Sequence, residues 1–163
     1  GVDVLKDSDK VLKEKLDELK IKYDGQSRER LTDSLWKHTG KQISGPAFVI
    51  NHPKIVSPLS KEHSDNPELT ERFQILIAGS ELGNGYSELN NPIEQKKRFD
   101  EQKKLLEGGD TIAMMSDDEF VEMLEHGMPP TCGFGFGERL FAFMADMPIR
   151  DTQLFPLMKP KGK

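Results

Sequence analysis

Leucine residues in the first part of the chain recur at helical spacing among charged residues. Leu12, Leu16 and Leu19 are separated by four and then three positions, which predicts an amphipathic surface helix over residues 8–22. Similar spacing continues in the next segment and predicts a second helix over residues 27–38. The chain therefore opens with two helices that each present one apolar side.

The middle of the chain changes from helical spacing to alternation. Residues 46–53, PAFVINHP, have the β-branched and aromatic content of a short strand that ends at a proline. Two prolines and a polar run predict a loop over residues 54–70. Apolar residues alternate from Phe73 to Ile77, and the whole segment 71–90 predicts an antiparallel hairpin.

Helical signals return after the hairpin. Pro92 opens a charged helix that extends to about Glu107, and Asp117 starts a shorter helix that Gly127 ends. The residues expected to face the core from these two helices are Phe99, Leu105, Leu106, Phe120, Met123 and Leu124. The segment CGFGFGERLFAFMA, residues 132–145, is interpreted as a strand that runs directly into a helix.

Composition indicates a soluble globular protein. The 163 residues fit one domain, and 35% hydrophobic with 31% charged residues is unlike a membrane or disordered chain. The N-terminus lacks the apolar segment of a secretory signal. Cys132 is the only cysteine, which excludes an intramolecular disulfide and a cysteine-rich zinc site. We therefore expect a cytoplasmic protein in which Cys132 is a buried small residue.

The charge balance bears on nucleic-acid binding. A formal net charge of -5 argues against broad electrostatic attraction to phosphate backbones. The basic tail at residues 159–163 is interpreted as a solvated terminus. If the protein works on RNA, most of the binding surface is expected outside this chain.

Glu81 and Glu88 are seven positions apart on one predicted strand. An odd separation places two side chains on opposite faces of a regular strand. Either a bulge near Gly83 or Gly85 brings the carboxylates together, or they serve different ligands. Two solvated acids on an edge strand are the simpler alternative, but glycine within a strand often marks close approach of a ligand or another backbone.

A second glycine-rich segment lies near the C-terminus. The glycines alternate with phenylalanines and are expected on one strand face, where bare backbone could accommodate a flat ligand: Gly133, Gly135 and Gly137. The spacing matches neither a phosphate-binding P-loop nor a dinucleotide fingerprint. A sheet face packed tightly against a helix is the alternative. Arg139 follows, where its guanidinium could bind a phosphate through two hydrogen bonds or lie free on the surface.

Six motifs follow one another along the chain: HPKIVSPLSK (52–61), NPELTERF (66–73), GSELGNGYSELNNP (79–92), RFDEQ (98–102), LEHGMPPTCGFGFGERL (124–140) and IRDTQLFPLMKP (149–160). In this order and at similar spacing, they resemble the C-terminal part of the catalytic domain of class II lysyl-tRNA synthetases. The resemblance is strongest from about Ser44 to Pro160. Within this class, GNGYSELN is the motif that points to lysine.

The resemblance implies an α+β fold, in which an antiparallel sheet is flanked by helices. Residues 1–163 would form the C-terminal portion of a class II synthetase catalytic domain. The implied reaction is ATP-dependent activation of L-lysine to lysyl-adenylate, followed by transfer of lysine to tRNA(Lys). The family is homodimeric and has no membrane association.

Residue by residue, the resemblance assigns a lysine pocket to the predicted hairpin. Glu88 matches the acid that pairs with the ε-ammonium group, and a buried cation without such a partner would be costly. Tyr86 matches an aromatic position that walls the lysine side chain. Asn84 matches an asparagine near the lysine carboxylate.

The resemblance also implies sites for ATP and Mg²⁺. Arg139 matches the catalytic arginine that contacts the γ-phosphate, and Glu81 matches an acid that holds magnesium on the ATP phosphates. Glu81 and Glu88 therefore need not share a ligand. The strand beneath the adenine and the substrate corresponds to Gly133, Gly135 and Gly137.

Three features depart from the family pattern. Gln74, a neutral oxygen donor, stands where relatives usually carry a second metal-binding glutamate, which predicts weaker or rearranged metal binding. Gly137 runs directly into Glu138, one residue sooner than usual, so the glycine under the adenine is not assigned. The chain begins after the family's first two motifs, which carry the dimer helix and the α-phosphate arginine, and after the anticodon-binding domain.

The leading hypothesis is that the chain is part of a lysine–tRNA ligase and is inactive without the missing N-terminal half. Two alternatives remain open at the sequence level. One is a paralogue without an anticodon domain that lysylates a protein, although such relatives keep the second motif. The other is a non-catalytic binding module that reuses the fold, although the retained charges at Glu81, Glu88 and Arg139 count against it.

Overall fold

A four-stranded antiparallel sheet in the order β1-β4-β5-β6 is the central element of the computed structural model, which describes residues 1–23, 25–110 and 113–155. Its strands are β1 (Ala47–Ile50), β4 (Arg72–Ile77), β5 (Ser80–Ser87) and β6 (Cys132–Phe136), and a separate pair consists of β2 (Glu62–His63) and β3 (Asn66–Thr70). The helices are α1 (Asp9–Glu18), α2 (Arg28–Gly40), α3 (Pro92–Glu107), α4 (Asp118–Glu125) and α5 (Glu138–Met144). The predicted α+β class is confirmed.

The two opening helices form a small core of their own. Leu12 and Leu16 of α1 pack with Leu31 and Leu35 of α2, and all four are buried. Helix α1 ends at Glu18, earlier than the predicted residue 22. The chain leaves the helix there because Lys20 has a positive φ of 55°, a left-handed conformation that stops helical hydrogen bonding.

Other details of the sequence prediction are also wrong. The predicted loop 54–70 contains a 3₁₀ helix, Lys54–Val56, and the β2–β3 pair. In α4 the buried residues are Val121 and Leu124. Met123, which was predicted to be buried, points to solvent instead. The buried face of the helix is therefore shifted by about one residue from the predicted face. Cys132 is exposed, since it starts an edge strand. The basic tail at 159–163 lies outside the described residues.

A β-bulge in the central hairpin settles which face Glu81 occupies. Ile75 pairs with Gly83, but Leu76 pairs with Glu81, so Leu82 is an extra residue in β5. Cross-strand partners point to the same face of a sheet. Glu81 therefore lies on the face that also carries Asn84, which pairs with Gln74. The predicted bulge near Gly83 is confirmed, whereas the assignment of Glu81 and Glu88 to different ligands stays a prediction.

The opposite face of the sheet is aromatic. Phe73 stacks on Phe134 with ring centroids 5.7 Å apart, and a Cβ at Gly85 would lie 2.7 Å from the Phe73 ring. Gly85 and Gly83 therefore make room for rings on this face rather than for a ligand on the other. The outer rings remain open to solvent, with exposed fractions of 68% for Phe48 and 65% for Phe136.

Helix α3 anchors the loop that leads into β2. Arg98, only 4% exposed, donates to the carbonyl oxygens of Ser60 at 2.7 Å and Ser57 at 3.4 Å, and pairs with Glu94 at 2.9 Å. Ser60 in turn forms an isolated β-bridge with Glu88. The guanidinium therefore connects α3 to the backbone at the end of β5.

No helix among the described residues is long and apolar enough to cross a membrane.

The buried ring of His52 predicts a pH dependence of stability. Burial, reinforced by the charge of Arg72, lowers the pKa of His52 from 6.5 to about 4. The unfolded state therefore binds more protons than the folded state between these values, and stability falls as pH drops through this window. We expect a loss of about 2 kcal/mol between pH 7 and pH 4.5 from this group.

The free energy of unfolding in urea at pH 7 and at pH 4.5 measures this effect. His52→Gln removes the titrating ring and should flatten the dependence. An equally steep loss of stability in the His52→Gln variant would show that other groups cause it.

Candidate functional site

The carboxylate of Glu88 lies over the bare backbone of Gly133. It is at the edge of the sheet face that carries Glu81 and Asn84, which we call the polar face. The backbone N–H of Glu88 donates to the Thr131 carbonyl oxygen at 2.9 Å, which fixes the chain beside the start of β6. A Cβ placed on Gly133 would come within 2.9 Å of Glu88 Oε1. Only glycine at position 133 therefore leaves this space to the carboxylate.

The surroundings of Glu88 favour a cationic ligand. Burial raises the pKa of Glu88 above its ordinary value, and no ion pair to Glu88 is formed by the residues that the structure describes. The pKa of Tyr86, two positions earlier, is raised by burial and by the negative charge of Glu88. A carboxylate without a cationic partner, next to a half-buried aromatic ring, is suited to an ammonium group at the end of an apolar chain.

Asn84 occupies the next position on the same face and is held by an arginine. The Nε of Arg72 donates to Asn84 Oδ1 at 2.9 Å. Its Nη1 donates to the Val56 carbonyl oxygen at 2.9 Å and to Ser57 Oγ at 3.0 Å. Arg72 was not identified from the sequence, because one arginine at the start of a strand gives no signal of its own.

The glycine strand matches its prediction at two of three positions. Gly133 pairs with Tyr86 and Gly135 pairs with Asn84, so both lie on the polar face. Among the described residues, no heavy atom lies within 4 Å of a Cβ placed on Gly135, so the described structure leaves space over the backbone there. The prediction is wrong for Gly137, which lies beyond β6 and caps the N-terminus of α5.

Arg139 lies in the first turn of α5 and is exposed. The N–H of Gly137 donates to the carbonyl oxygen of Leu82 at 3.1 Å. This bond attaches the start of α5 to the bulge residue that follows Glu81. The structure therefore connects the backbone of Arg139 and Glu81, although it shows no direct contact between their side chains.

Glu81 and Gln74 border one cavity of about 600 Å³ between α2 and the sheet. Glu81 is exposed, whereas Gln74 is 4% exposed and its Oε1 has no hydrogen-bond partner among the described residues. An orphaned amide oxygen beside a carboxylate fits Mg²⁺, which prefers oxygen ligands and takes its remaining ligands from water and phosphate. In the described ranges, no group of three or more histidine, cysteine, aspartate or glutamate side chains is arranged so that it could hold a metal ion by itself.

Comparison with known proteins gives a consistent result across the chain. A family model described as tRNA synthetases class II (D, K and N) matches residues 6–159. A lysine–tRNA ligase of Thermotoga sp. (strain RQ2) is 48% identical over 163 residues, which are 99% of this chain and 32% of the relative. The lysine–tRNA ligase of Christiangramia forsetii is 45% identical over 168 residues, which cover 100% of this chain and 29% of the relative.

A third relative, the lysine–tRNA ligase of Fervidobacterium nodosum, is 42% identical over 164 residues, with 99% of this chain and 32% of the relative covered. The chain thus spans about a third of the length of the curated relatives that it matches. Similarity of this kind extends over nearly every residue described above, including both sides of the sheet.

Proposed function

Because this chain belongs to the class II tRNA synthetases of the D, K and N group, we propose that it supplies the lysine and ATP half-site of a lysine–tRNA ligase. The relatives reported above are lysine–tRNA ligases, which supports the reaction. The choice of amino acid rests on Glu88, whose carboxylate forms no ion pair with any residue that the structure describes. Its surroundings favour a terminal ammonium over an uncharged or acidic side chain.

In the proposed complex, L-lysine extends along the polar face of β5. Its ε-ammonium pairs with Glu88, and the Tyr86 ring covers part of the methylene chain. Asn84 then lies near the carboxylate end of the amino acid. The amino acid thereby contacts alternate residues of one strand, which lie about 6.5 Å apart along the strand.

ATP binds, in this proposal, over the open backbone at Gly135 with its phosphates toward α5. Arg139 binds the γ-phosphate through its guanidinium, and Gly133 lies under the lysine end rather than under the adenine. Glu81 and Gln74 are the residues that would hold Mg²⁺. The metal would neutralise charge on the phosphate oxygens.

Adenylate formation joins a lysine carboxylate oxygen to the α-phosphorus and releases pyrophosphate. The chain offers no nucleophile for this step, so its residues act by orienting the two substrates and by stabilising charge. Transfer of lysine to tRNA(Lys) and homodimer formation belong to the complete synthetase, as does the α-phosphate arginine.

We propose that the remainder of that synthetase covers the exposed aromatic sheet face, where rings such as Phe48 and Phe136 are otherwise solvated.

Lysine-dependent exchange of pyrophosphate into ATP tests the proposal. The full-length protein that contains this chain should catalyse exchange with lysine and not with aspartate or asparagine. Residues 1–163 alone should give none. Exchange by the isolated chain would refute the half-site, and a full-length protein that binds neither lysine nor ATP in calorimetry would favour a non-catalytic module.

A pair of glycine substitutions tests the position of the Glu88 carboxylate. Gly133→Ala should weaken lysine binding about tenfold, because the new Cβ displaces a flexible carboxylate from the bare backbone. Its free energy of unfolding should change by less than about 1 kcal/mol, since the carboxylate can move.

Gly85→Ala is the matched comparison on the other face. Its Cβ would meet the Phe73 ring at 2.7 Å and the Gly133 carbonyl oxygen at 2.9 Å, neither of which can move freely. We expect a loss of about 2 kcal/mol in unfolding free energy. Calorimetry and urea denaturation separate the two effects, and unchanged lysine affinity in Gly133→Ala would contradict the assigned carboxylate position.

A further inference from the structure

Arg72 holds the side-chain amide of Asn84 in one orientation. We propose that Arg72 is a positioning residue that turns the two N–H donors of Asn84 toward the carboxylate of the bound amino acid. This inference rests on the proposed function, because it concerns how the same half-site selects an amino acid.

The orientation of Asn84 follows from the chemistry of the pair. A guanidinium carries only donors, so the amide atom that lies 2.9 Å from Arg72 Nε must be the oxygen. The Asn84 NH₂ group consequently points away from Arg72. No partner for this NH₂ group is found within the described residues, so its donors are available to a ligand.

The guanidinium is held at two of its three nitrogens, since its Nε donates to Asn84. Its Nη1 is held by the Val56 carbonyl oxygen and Ser57 Oγ. That loop is anchored from its other side, because Arg98 donates to the Ser57 and Ser60 carbonyl oxygens. Arg72 is therefore locked between the sheet and an anchored loop, and it transmits this rigidity to Asn84.

The fixed orientation favours an anionic oxygen over an uncharged group. Asn84 pairs with Gly135, over which a side chain would meet open space. Donors that face such a space bind a carboxylate well, and the nearby cation strengthens them. Without Arg72, the amide could rotate and present its oxygen, which would repel the carboxylate.

Two ligands distinguish positioning from a general structural role. L-lysine carries the carboxylate, and cadaverine has the same five-carbon chain and terminal ammonium without it. Binding of both to the full-length protein is measured by calorimetry, with wild type, Arg72→Met and Arg72→Lys. We expect Arg72→Met to raise the dissociation constant for lysine about tenfold and that for cadaverine less than twofold. Arg72→Lys should recover part of the lysine affinity, because an ammonium is also a donor only.

A double variant tests whether Arg72 acts through Asn84. The lysine affinity of Arg72→Met/Asn84→Ala should match that of Asn84→Ala alone within twofold. Arg28→Met is the matched control, since Arg28 also donates to backbone carbonyl oxygens, those of Val4 and Asp7, but lies away from the site. It should leave both affinities unchanged.

Three results would overturn the inference. These are equal losses for lysine and cadaverine in Arg72→Met, an unchanged lysine affinity in that variant, and additive losses in the double variant. A wild-type protein that does not bind lysine at all would instead refute the proposed function, so the two failures are distinguishable.

Discussion

Glu88→Gln in the full-length protein is expected to weaken lysine binding about thirtyfold, equivalent to about 2 kcal/mol. Glutamine keeps the size of the side chain and one acceptor oxygen but removes the charge that would pair with the ε-ammonium. The effect should appear in the dissociation constant for lysine, measured by calorimetry. ATP affinity should change little, because the proposed nucleotide contacts lie at Gly135 and Arg139.

Glu68→Gln provides the control for this substitution. Glu68 is an exposed residue of β3 and has no place in the proposed half-site, so the same change of charge should leave lysine binding unaltered. An unchanged lysine affinity in Glu88→Gln would remove the ammonium role. An equal loss in both variants would mean that net charge, rather than a specific contact, governs binding.

Arg98→Met should give the largest loss of stability, about 3 kcal/mol in the free energy of unfolding. Arg98 is 4% exposed, and its removal leaves the Ser60 carbonyl oxygen and the Glu94 carboxylate without their donor. Partly buried acceptors that lose a charged donor retain their desolvation cost. The midpoint of urea unfolding should fall while the slope stays constant.

Lys96→Met on the same helix is the matched control. Lys96 is about half exposed and pairs with Asp118 at 2.9 Å and Asp100 at 3.5 Å, both of which are at least half exposed. Such surface pairs contribute little to stability, so this variant should unfold at nearly the wild-type urea concentration. Similar losses for the two variants would show that Arg98 acts as one more surface charge and does not anchor the loop.

The sequence predicted the fold best where a pattern of residues is compatible with only one type of helix or strand. The helices that begin after Ser8 and Ser27 have those residues as N-caps, and the central hairpin forms where alternation and the Ala78–Ser80 turn placed it. In α4 the buried stripe was displaced, because Val121 and Met123 are both apolar and only tertiary contacts choose between them. Burial of Val121 rather than Met123 is a result of packing.

Parts of the candidate site depended on information that the sequence does not carry. From the spacing alone, the Glu81 side chain could lie on either face of the sheet. The bulge that decides between the faces depends on the pairing register, which is set by the neighbouring strand. Gln74 was identified as a neutral donor, but its burial depends on tertiary packing around the sheet, which the sequence does not show. Arg72 emerged only when a strand, a loop and Asn84 were brought together.

The extra residue in β5 has a mechanical consequence. The Leu82 carbonyl oxygen accepts from Gly137 at the start of α5, so the strand that carries Asn84 and Tyr86 is tethered to the helix that carries Arg139. A displacement of this helix would pull on the strand. The groups proposed for the nucleotide and those proposed for the amino acid would then shift together, which couples the two halves of the reaction without any contact between their side chains.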